Sequence, residues 1–336
     1  MSKGKVALAL SSGGPRGFAY IGAIEEILRR GYEISSIAGS SAGSLVGGVY
    51  AAGGLEAFKE WLFALDPLKV MRLMDFSLSR NYLVKGDRVI KAIKANVPEC
   101  NIEDLPIPFV AIATDLYTGE EVLFREGPLF DAIRASISIP SMFRPVRRGG
   151  RTLVDGGMTN TFPLNRVPRT EGDILVGFNV NRIDAEDIGR FLDGRKALSA
   201  NEAAMRESAL ERLRETLSDH EGPVLDRLRA AGQISGKLLR ETIRNDRKVR
   251  LLESGMRERG IPTAADDNYV SILDRSFGIM NHTIARMAIE VCPPDVLISL
   301  PYDSFHGVDG YSRAREIADL GRALTSAALD RFEGRS

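Results

Sequence analysis

The segment Gly39-Ser40-Ser41-Ala42-Gly43 constrains the fold of this chain more than any other. It follows a strand-like run, Ile34 to Ala38, and leads into an apolar stretch with helical spacing, Leu45 to Ala52. A serine at such a strand-turn-helix junction is held in the open, where a neighbouring base can take its proton. The flanking glycines allow a tight turn, and the N-terminus of the helix favours a developing negative charge. The pattern predicts Ser41 as a nucleophile, while a plain strand-to-helix turn has the same composition.

A second glycine-rich turn, Ser12-Gly13-Gly14-Pro15-Arg16-Gly17, follows the strand-like Val6–Leu10 and precedes a helical pattern. Exposed backbone N–H groups in such a turn favour an anion. A dinucleotide loop would have glycine at position 12, and a P-loop would continue with Lys and Ser or Thr; this segment has neither. It fits better as an oxyanion hole for Ser41, because two donors aimed at one developing charge stabilise it strongly. Proline has no N–H, so the donors are expected at Gly13 and Gly14.

A third segment supplies a base. The run Arg151–Asp155 reads as a short strand that ends in an acid and is followed by Gly156-Gly157. Aspartate before two glycines is also a common turn former. Because the two other motifs are present, we interpret Asp155 as the catalytic base.

The histidines decide between a dyad and a triad. The chain has three, His220, His282 and His306, and none lies in a motif. A triad in hydrolase order needs its histidine after the aspartate, and His306, in a loop-like segment, is the candidate. The prediction favours a dyad in which Asp155 acts directly on Ser41.

Taken together, these motifs resemble those of the patatin-like phospholipases. Gly13–Gly17 resembles the glycine-rich oxyanion loop of that family, Gly39–Gly43 matches its G-x-S-x-G elbow, and Asp155-Gly156-Gly157 matches its D-G-[GA] motif. The resemblance covers residues 5 to about 180 and resumes near Asp295–Ser299 and along Ser312–Leu329.

The resemblance implies a serine acyl hydrolase that cleaves carboxylic ester bonds of lipids or phospholipids, with Ser41 as nucleophile and Asp155 as base. It places the oxyanion donors at Gly13 and Gly14. It implies supporting roles for the other motif positions, which are Arg16, Gly17, Gly39, Gly43, Gly156 and Gly157. Ser12 departs from the family, which usually has glycine there; serine keeps its N–H, so function survives unless this position needs a positive φ.

Strand-like and helical patterns alternate along residues 1–182. This alternation predicts an α/β fold, with a central mostly parallel sheet and helices on both faces. Ligands in such sheets bind beyond the carboxyl ends of the strands, and the loops that carry Gly13 and Ser41 both follow strands. We expect residues 1–182 and 268–336 to form one patatin-like catalytic domain.

Residues 183–267 differ from the rest, because Arg, Glu, Asp and Leu dominate and the apolar positions recur at helical spacing. We expect a charged helical insertion that acts as a packed hairpin, a lid, a dimer arm or a membrane-surface patch. Charges of both signs alternate in it, unlike a basic lipid-binding helix. The membrane-surface patch is therefore the least favoured of these roles, and the insertion is a candidate for homo-oligomer contacts. Transient contact of the protein with a membrane surface stays open.

Composition excludes several classes of function. The 45 basic and 45 acidic residues balance, so no overall field favours nucleic acid. Cys100 and Cys292 lie far apart and are expected to be reduced and buried, and neither metal nor organic cofactor is implied. The apolar run at the N-terminus is too short for a signal peptide, and no run is long enough to span a membrane, which predicts a cytoplasmic protein.

Two other functions remain open from the sequence alone. One is a catalytically weak scaffold with the same fold that binds partners through the charged helices, which intact Ser41 and Asp155 argue against. The other is a nucleotide-binding enzyme, which would bind NAD or ATP tightly.

Overall fold

The computed structural model describes residues 3–73, 75, 82, 84–183, 269–305 and 307–334. The chain divides into two compact units, one of residues 1–188 and 277–336 and the other of residues 189–276. The first unit contains the sheet and every motif identified above. The predicted insertion, residues 183–267, lies outside the described residues except for Ile183, as do His220 and His306.

The described residues form a sheet of eight strands with helices between them. The strands are β1 (Lys5–Leu10), β2 (Glu33–Ser40), β3 (Phe109–Asp115), β4 (Glu121–Phe124), β5 (Val146–Arg148), β6 (Arg151–Asp155), β7 (Ile174–Arg182) and β8 (Val296–Pro301). The helices are α1 (Ala19–Arg29), α2 (Ala42–Ala51), α3 (Leu55–Phe63), α4 (Pro67–Leu73), α5 (Asp87–Lys94), α6 (Leu129–Ser136), α7 (Tyr269–Val291), α8 (Gly307–Ser312) and α9 (Ala314–Phe332).

The predicted fold class is confirmed. Strands β1, β2, β3, β7 and β8 run parallel, whereas β4, β5 and β6 are antiparallel to their neighbours. The order of paired strands is β5-β6-β3-β2-β1-β7-β8, and β4 also pairs with β3. Helix α2 begins at Ala42, earlier than the apolar spacing indicated, because small residues at its start carry no hydrophobic signal.

The arrangement around β3 positions the candidate site. Ala111 and Ile112 pair with β2 on one side and with β4 on the other, and the next residues, Ala113 and Thr114, pair with β6 and again with β4. Both β2 and β6 therefore lie on the side of β3 that faces away from β4. Strand β2 runs parallel to β3 and ends at Ser40, opposite Ile112. Strand β6 runs antiparallel to β3 and ends at Asp155, opposite Ala113. The two strands consequently meet end to end.

Helices cover both faces of the sheet, so the central strands are buried on both sides. In β1 the side chains of Val6, Leu8 and Leu10 join the larger core cluster, which includes residues of α1, α2 and α9. Ala7 and Ala9 point the other way, into a smaller cluster that contains Ala285 of α7. The alternation follows from the period of two along a strand.

Two expectations from composition bear on the described residues. Cys100 and Cys292 form no disulfide, as expected, but both are half-buried rather than buried, since they lie at the margin of the core. No helix in the described ranges combines the length and the apolar character that crossing a bilayer requires.

Candidate active site

Ser41 lies at a sharp turn between β2 and α2. Its backbone has φ of 51° and ψ of −118°, which an L-residue rarely adopts. Such a conformation costs on the order of 1–3 kcal/mol and persists only when the surroundings impose it. Here the Ser41 N–H donates to Ser136 Oγ at 2.9 Å, and the Ser44 hydroxyl donates to the Ser41 carbonyl at 2.7 Å. The turn is therefore fixed from both ends.

The glycines on either side of Ser41 are required by close backbone contacts. A side chain at Gly39 would overlap the backbone of Gly43, and one at Gly43 would overlap the carbonyl of Leu10 in β1. Strand β2, helix α2 and strand β1 can thus approach closely only with glycine at both positions. The G-x-S-x-G spacing is in this way a consequence of packing at the elbow.

Ser41 and Asp155 are brought together by the opposed ends of β2 and β6. The Ser41 hydroxyl donates to Asp155 Oδ2 at 2.6 Å, and the Gly157 N–H donates to Asp155 Oδ1 at 2.8 Å. Both carboxylate oxygens are therefore engaged, and the carboxylate is held in one orientation. The neighbouring Gly156 is also sterically required, because a side chain there would overlap the Ile112 carbonyl.

Burial changes the acidity of this carboxyl group. It raises the pKa of Asp155 from 3.8 to about 6, although the hydrogen bonds from Ser41 and Gly157 act in the opposite direction. A carboxylate with a raised pKa is a stronger base, and at pH 7 it is still mostly ionised. Asp155 can therefore accept the Ser41 proton at neutral pH.

The glycine-rich loop continues from β1 and packs beside the elbow. A side chain at Gly17 would overlap that of Ala42, the first residue of α2, and one at Gly13 would overlap Val180 of β7. Gly14 has φ of 56° and begins a short 3₁₀ helix, and the first N–H groups of a helix have no partner within it. Within the described ranges, the hydrogen bonds that anchor this loop involve Ser11, Ser12 and Arg16, and none is donated by the N–H groups of Gly13 or Gly14.

Arg16 fastens this loop to the rest of the domain. Its Nε donates to the Val180 carbonyl at 3.0 Å and a terminal nitrogen donates to the Phe305 carbonyl at 3.2 Å, while its guanidinium lies 4.2 Å from the centre of the Tyr302 ring. Arg16 is buried. These contacts make Arg16 a structural anchor of the loop, and its supporting role in catalysis stays a prediction.

Ser12 fits its position as serine. The only non-glycine residues with positive φ in the described part of the chain are Ser41 and Ser141, so Ser12 carries no backbone strain. The Ser12 hydroxyl is buried beside Gly157 and has no hydrogen-bond partner among the described residues. The Ser12 N–H donates to the Thr161 carbonyl at 2.8 Å.

Sequence reasoning missed three residues that hold the motifs in place. Ser136, at the end of α6, accepts the Ser41 N–H. Thr161 connects the loops, because its carbonyl accepts from Ser12 and its hydroxyl lies 2.8 Å from the Gly157 carbonyl. Asn181, in β7, donates its side-chain N–H to the Ser12 carbonyl at 2.7 Å. None of the three lies at a recognisable spacing, since each acts through the fold.

The histidine that is described does not reach the dyad. His282, in α7, lies with Nδ1 3.1 Å from the Asn181 carbonyl and 3.2 Å from the Ile183 nitrogen. In the described ranges no three His, Cys, Asp or Glu side chains are grouped so that they could hold a metal ion.

Comparisons with known proteins show what the chain is similar to. A family model described as patatin-like phospholipase matches residues 8–167. An uncharacterized NTE family protein of Mycobacterium tuberculosis is 35% identical over 99% of this chain and 93% of its own length. Mouse patatin-like phospholipase domain-containing protein 6 is 24% identical over 56% of this chain and 14% of its own length. The solved structure of VipD from Legionella pneumophila has a TM-score of 0.38 and 12% identity, covering 97% of this chain and 67% of that one.

Proposed function

This chain belongs to the patatin-like phospholipase family, and we propose that it is a serine acyl hydrolase that cleaves carboxylic ester bonds of lipids through Ser41 and Asp155. The observation that carries the proposal is the 2.6 Å hydrogen bond from the Ser41 hydroxyl to a buried carboxylate with a raised pKa. The family supports lipid hydrolase activity in general terms. The dyad and the ester chemistry are the finer parts of the proposal.

In the proposed reaction, Ser41 Oγ attacks the ester carbonyl while Asp155 takes the hydroxyl proton. The carbonyl oxygen becomes an oxyanion that accepts hydrogen bonds from the N–H groups of Gly13 and Gly14 at the start of the 3₁₀ helix. When the tetrahedral intermediate collapses, Asp155 gives the proton to the departing alcohol, and the acyl group stays on Ser41. Water then attacks the acyl-enzyme and loses a proton to Asp155. As the second intermediate collapses, Asp155 returns this proton to Ser41 Oγ, and the fatty acid leaves.

Each step uses a group that is already in position. The fixed carboxylate needs no reorientation to take the proton, and the strained elbow keeps the hydroxyl directed at it. Preorganised donors are worth more than mobile ones because no reorganisation is required as charge develops. The rigid surroundings of Ser41 therefore support a catalytic role over a purely structural one.

The test is a panel of esters graded by acyl length and head group, assayed with the wild type, Ser41→Ala and Asp155→Asn. We expect both variants to lose at least about a thousandfold in turnover, since residues that act as a unit cannot replace one another. Ser141→Ala is the matched control, because Ser141 is also a serine with positive φ but is exposed. Substantial hydrolysis by folded Ser41→Ala, or no hydrolysis by the wild type on any ester, would overturn the proposal, the latter in favour of a scaffold.

A further inference from the structure

Two turns project beyond the carboxyl edge of the sheet next to Asp155. One joins β3 to β4 through residues 116–120, and the other joins β5 to β6 through residues 149–150. We call residues 116–120 and 147–151 together the tip. Asp155 pairs with Ala113, so Leu116 lies three positions further along the chain, roughly 10 Å beyond the level of the carboxylate.

The two turns form one surface. The Leu116 N–H donates to the Thr152 carbonyl at 2.8 Å, and the Arg151 guanidinium lies 3.5 Å from Glu120. Because β6 continues the line of β2 beyond the carboxyl end of β2, this surface lies beside the place where a substrate would approach Ser41.

The tip presents apolar side chains to solvent from a rigid turn. The exposed fraction is 82% for Tyr117 and 48% for Leu116. Three hydrogen bonds nevertheless hold the turn. The Asp115 side chain accepts from the Tyr117 N–H at 3.1 Å, and the Asp115 carbonyl accepts from the Gly119 N–H at 2.9 Å. The Asp115 N–H in turn donates to the Glu120 carbonyl at 2.9 Å. The exposure of Tyr117 is thus imposed by the backbone and does not result from a loose loop.

The tip is also rich in arginine. Gly149 and Gly150 both have positive φ, which is typical of a tight two-residue hairpin, and this turn places Arg148 directly opposite Arg151. Like charges in that arrangement destabilise a hairpin. Arg151 lies within 3.8 Å of Asp115 and Glu120, whereas Arg147 and Arg148 form no ion pair within the described residues. The Arg148 guanidinium lies 5.4 Å from the centre of the Phe124 ring, a contact that leaves its charge unpaired. Both arginines are exposed, so two guanidinium groups are available to an anionic partner.

We propose that the tip docks on the surface of a lipid aggregate that carries anionic head groups, with Leu116 and Tyr117 entering the boundary between head groups and acyl chains. The inference rests on the proposed function, because it places that surface beside the ester-cleaving site. An amphipathic ring and an aliphatic side chain flanked by arginines match an anionic lipid interface in both polarity and charge. An anionic partner without an apolar layer, such as nucleic acid, would use the arginines and leave Leu116 without a role.

The experiment measures binding to vesicles by sedimentation, with every protein carrying Ser41→Ala so that hydrolysis does not alter the lipid. Vesicles are pure phosphatidylcholine or an equal mixture with phosphatidylglycerol. Replacing Leu116 and Tyr117 with Ser is expected to weaken binding about tenfold or more to both. Replacing Arg147 and Arg148 with Ser is expected to weaken binding by at least about tenfold to the anionic vesicles and much less to the neutral ones.

Matched controls come from the other end of the molecule. Leu28→Ser removes a leucine of similar exposure from α1, and Arg331→Ser removes an exposed arginine from α9. Both are expected to bind vesicles like the parent protein. With Ser41 intact, the tip variants should hydrolyse a soluble short-chain ester at the wild-type rate, which also reports that they are folded.

The possible failures are distinguishable. If the tip variants bind both kinds of vesicle as tightly as the controls do, the docking surface is refuted even where ester hydrolysis is normal. If the arginine pair alone matters, the tip is a general anion patch and the lipid assignment is wrong. If the tip variants lose binding but the wild type cleaves no ester, the proposed function fails while the docking surface stands.

Discussion

Replacing Asp155 with Asn removes a carboxylate that burial makes costly to ionise. The pKa rises from 3.8 to about 6 in the folded protein, a shift of about two units, and each unit corresponds to about 1.4 kcal/mol. The charged form therefore costs the fold about 3 kcal/mol once the pH lies above 6. The side chain is buried, so little solvent screening reduces this figure.

The sign of the effect follows from proton binding. Between pH 3.8 and about 6 the folded state binds more protons at Asp155 than the unfolded state does, so wild-type stability falls as pH rises through this window. Asparagine has no such titration, and its amide can still accept from Gly157 and donate to Ser41 Oγ. We expect Asp155→Asn to gain about 3 kcal/mol over the wild type between pH 4 and pH 7.

The assay is urea unfolding from pH 4 to 7.5, followed by the fluorescence of Trp61, the single tryptophan. The quantity of interest is the difference between variant and wild type at each pH, because other titrating groups cancel in it. Asp173→Asn is a control of opposite sign. Burial raises the pKa of Asp173, but hydrogen bonds from Thr170 and Ser35, together with the charge of Lys5, outweigh burial and lower this pKa. If the Asp155→Asn difference stays constant with pH, the burial argument for a strong base is wrong.

Four further expectations follow from the same site. Hydrolysis of a soluble ester should fall about tenfold per pH unit below about 6, as protons occupy Asp155; a rate that is flat down to pH 4.5 would contradict this. Ser41→Gly should be more stable than Ser41→Ala by about 1 kcal/mol, because glycine adopts the strained elbow freely, and equal urea midpoints would refute the strain. Thr161→Val should lower kcat by about tenfold with little change in KM, since the hydroxyl positions the loop after Asp155; an unchanged kcat would show that Thr161 has no such role. Replacing His282 or His306 with Ala should leave the rate within about tenfold, and a loss like that of Asp155→Asn would indicate a triad.

The sequence alone predicted the elements that carry the motifs, and it did so for physical reasons. The strand-like Val6–Leu10 is a continuous apolar run, as a strand buried on both faces must be, and it lies within β1. Gly39 and Gly43 could be identified because close backbone packing leaves room for no side chain at those positions. Such local requirements leave marks in the sequence.

What the sequence could not provide is the junction of distant segments. The order of residues does not reveal that β6 runs antiparallel in line with β2, although this alone brings Asp155 to Ser41. The roles of Ser136 and Thr161 were missed for the same reason, because one hydrogen bond between remote loops imposes no pattern on its neighbours. The raised pKa of Asp155 also depends on burial by the whole sheet, so only the tertiary structure decides how strong a base this residue is.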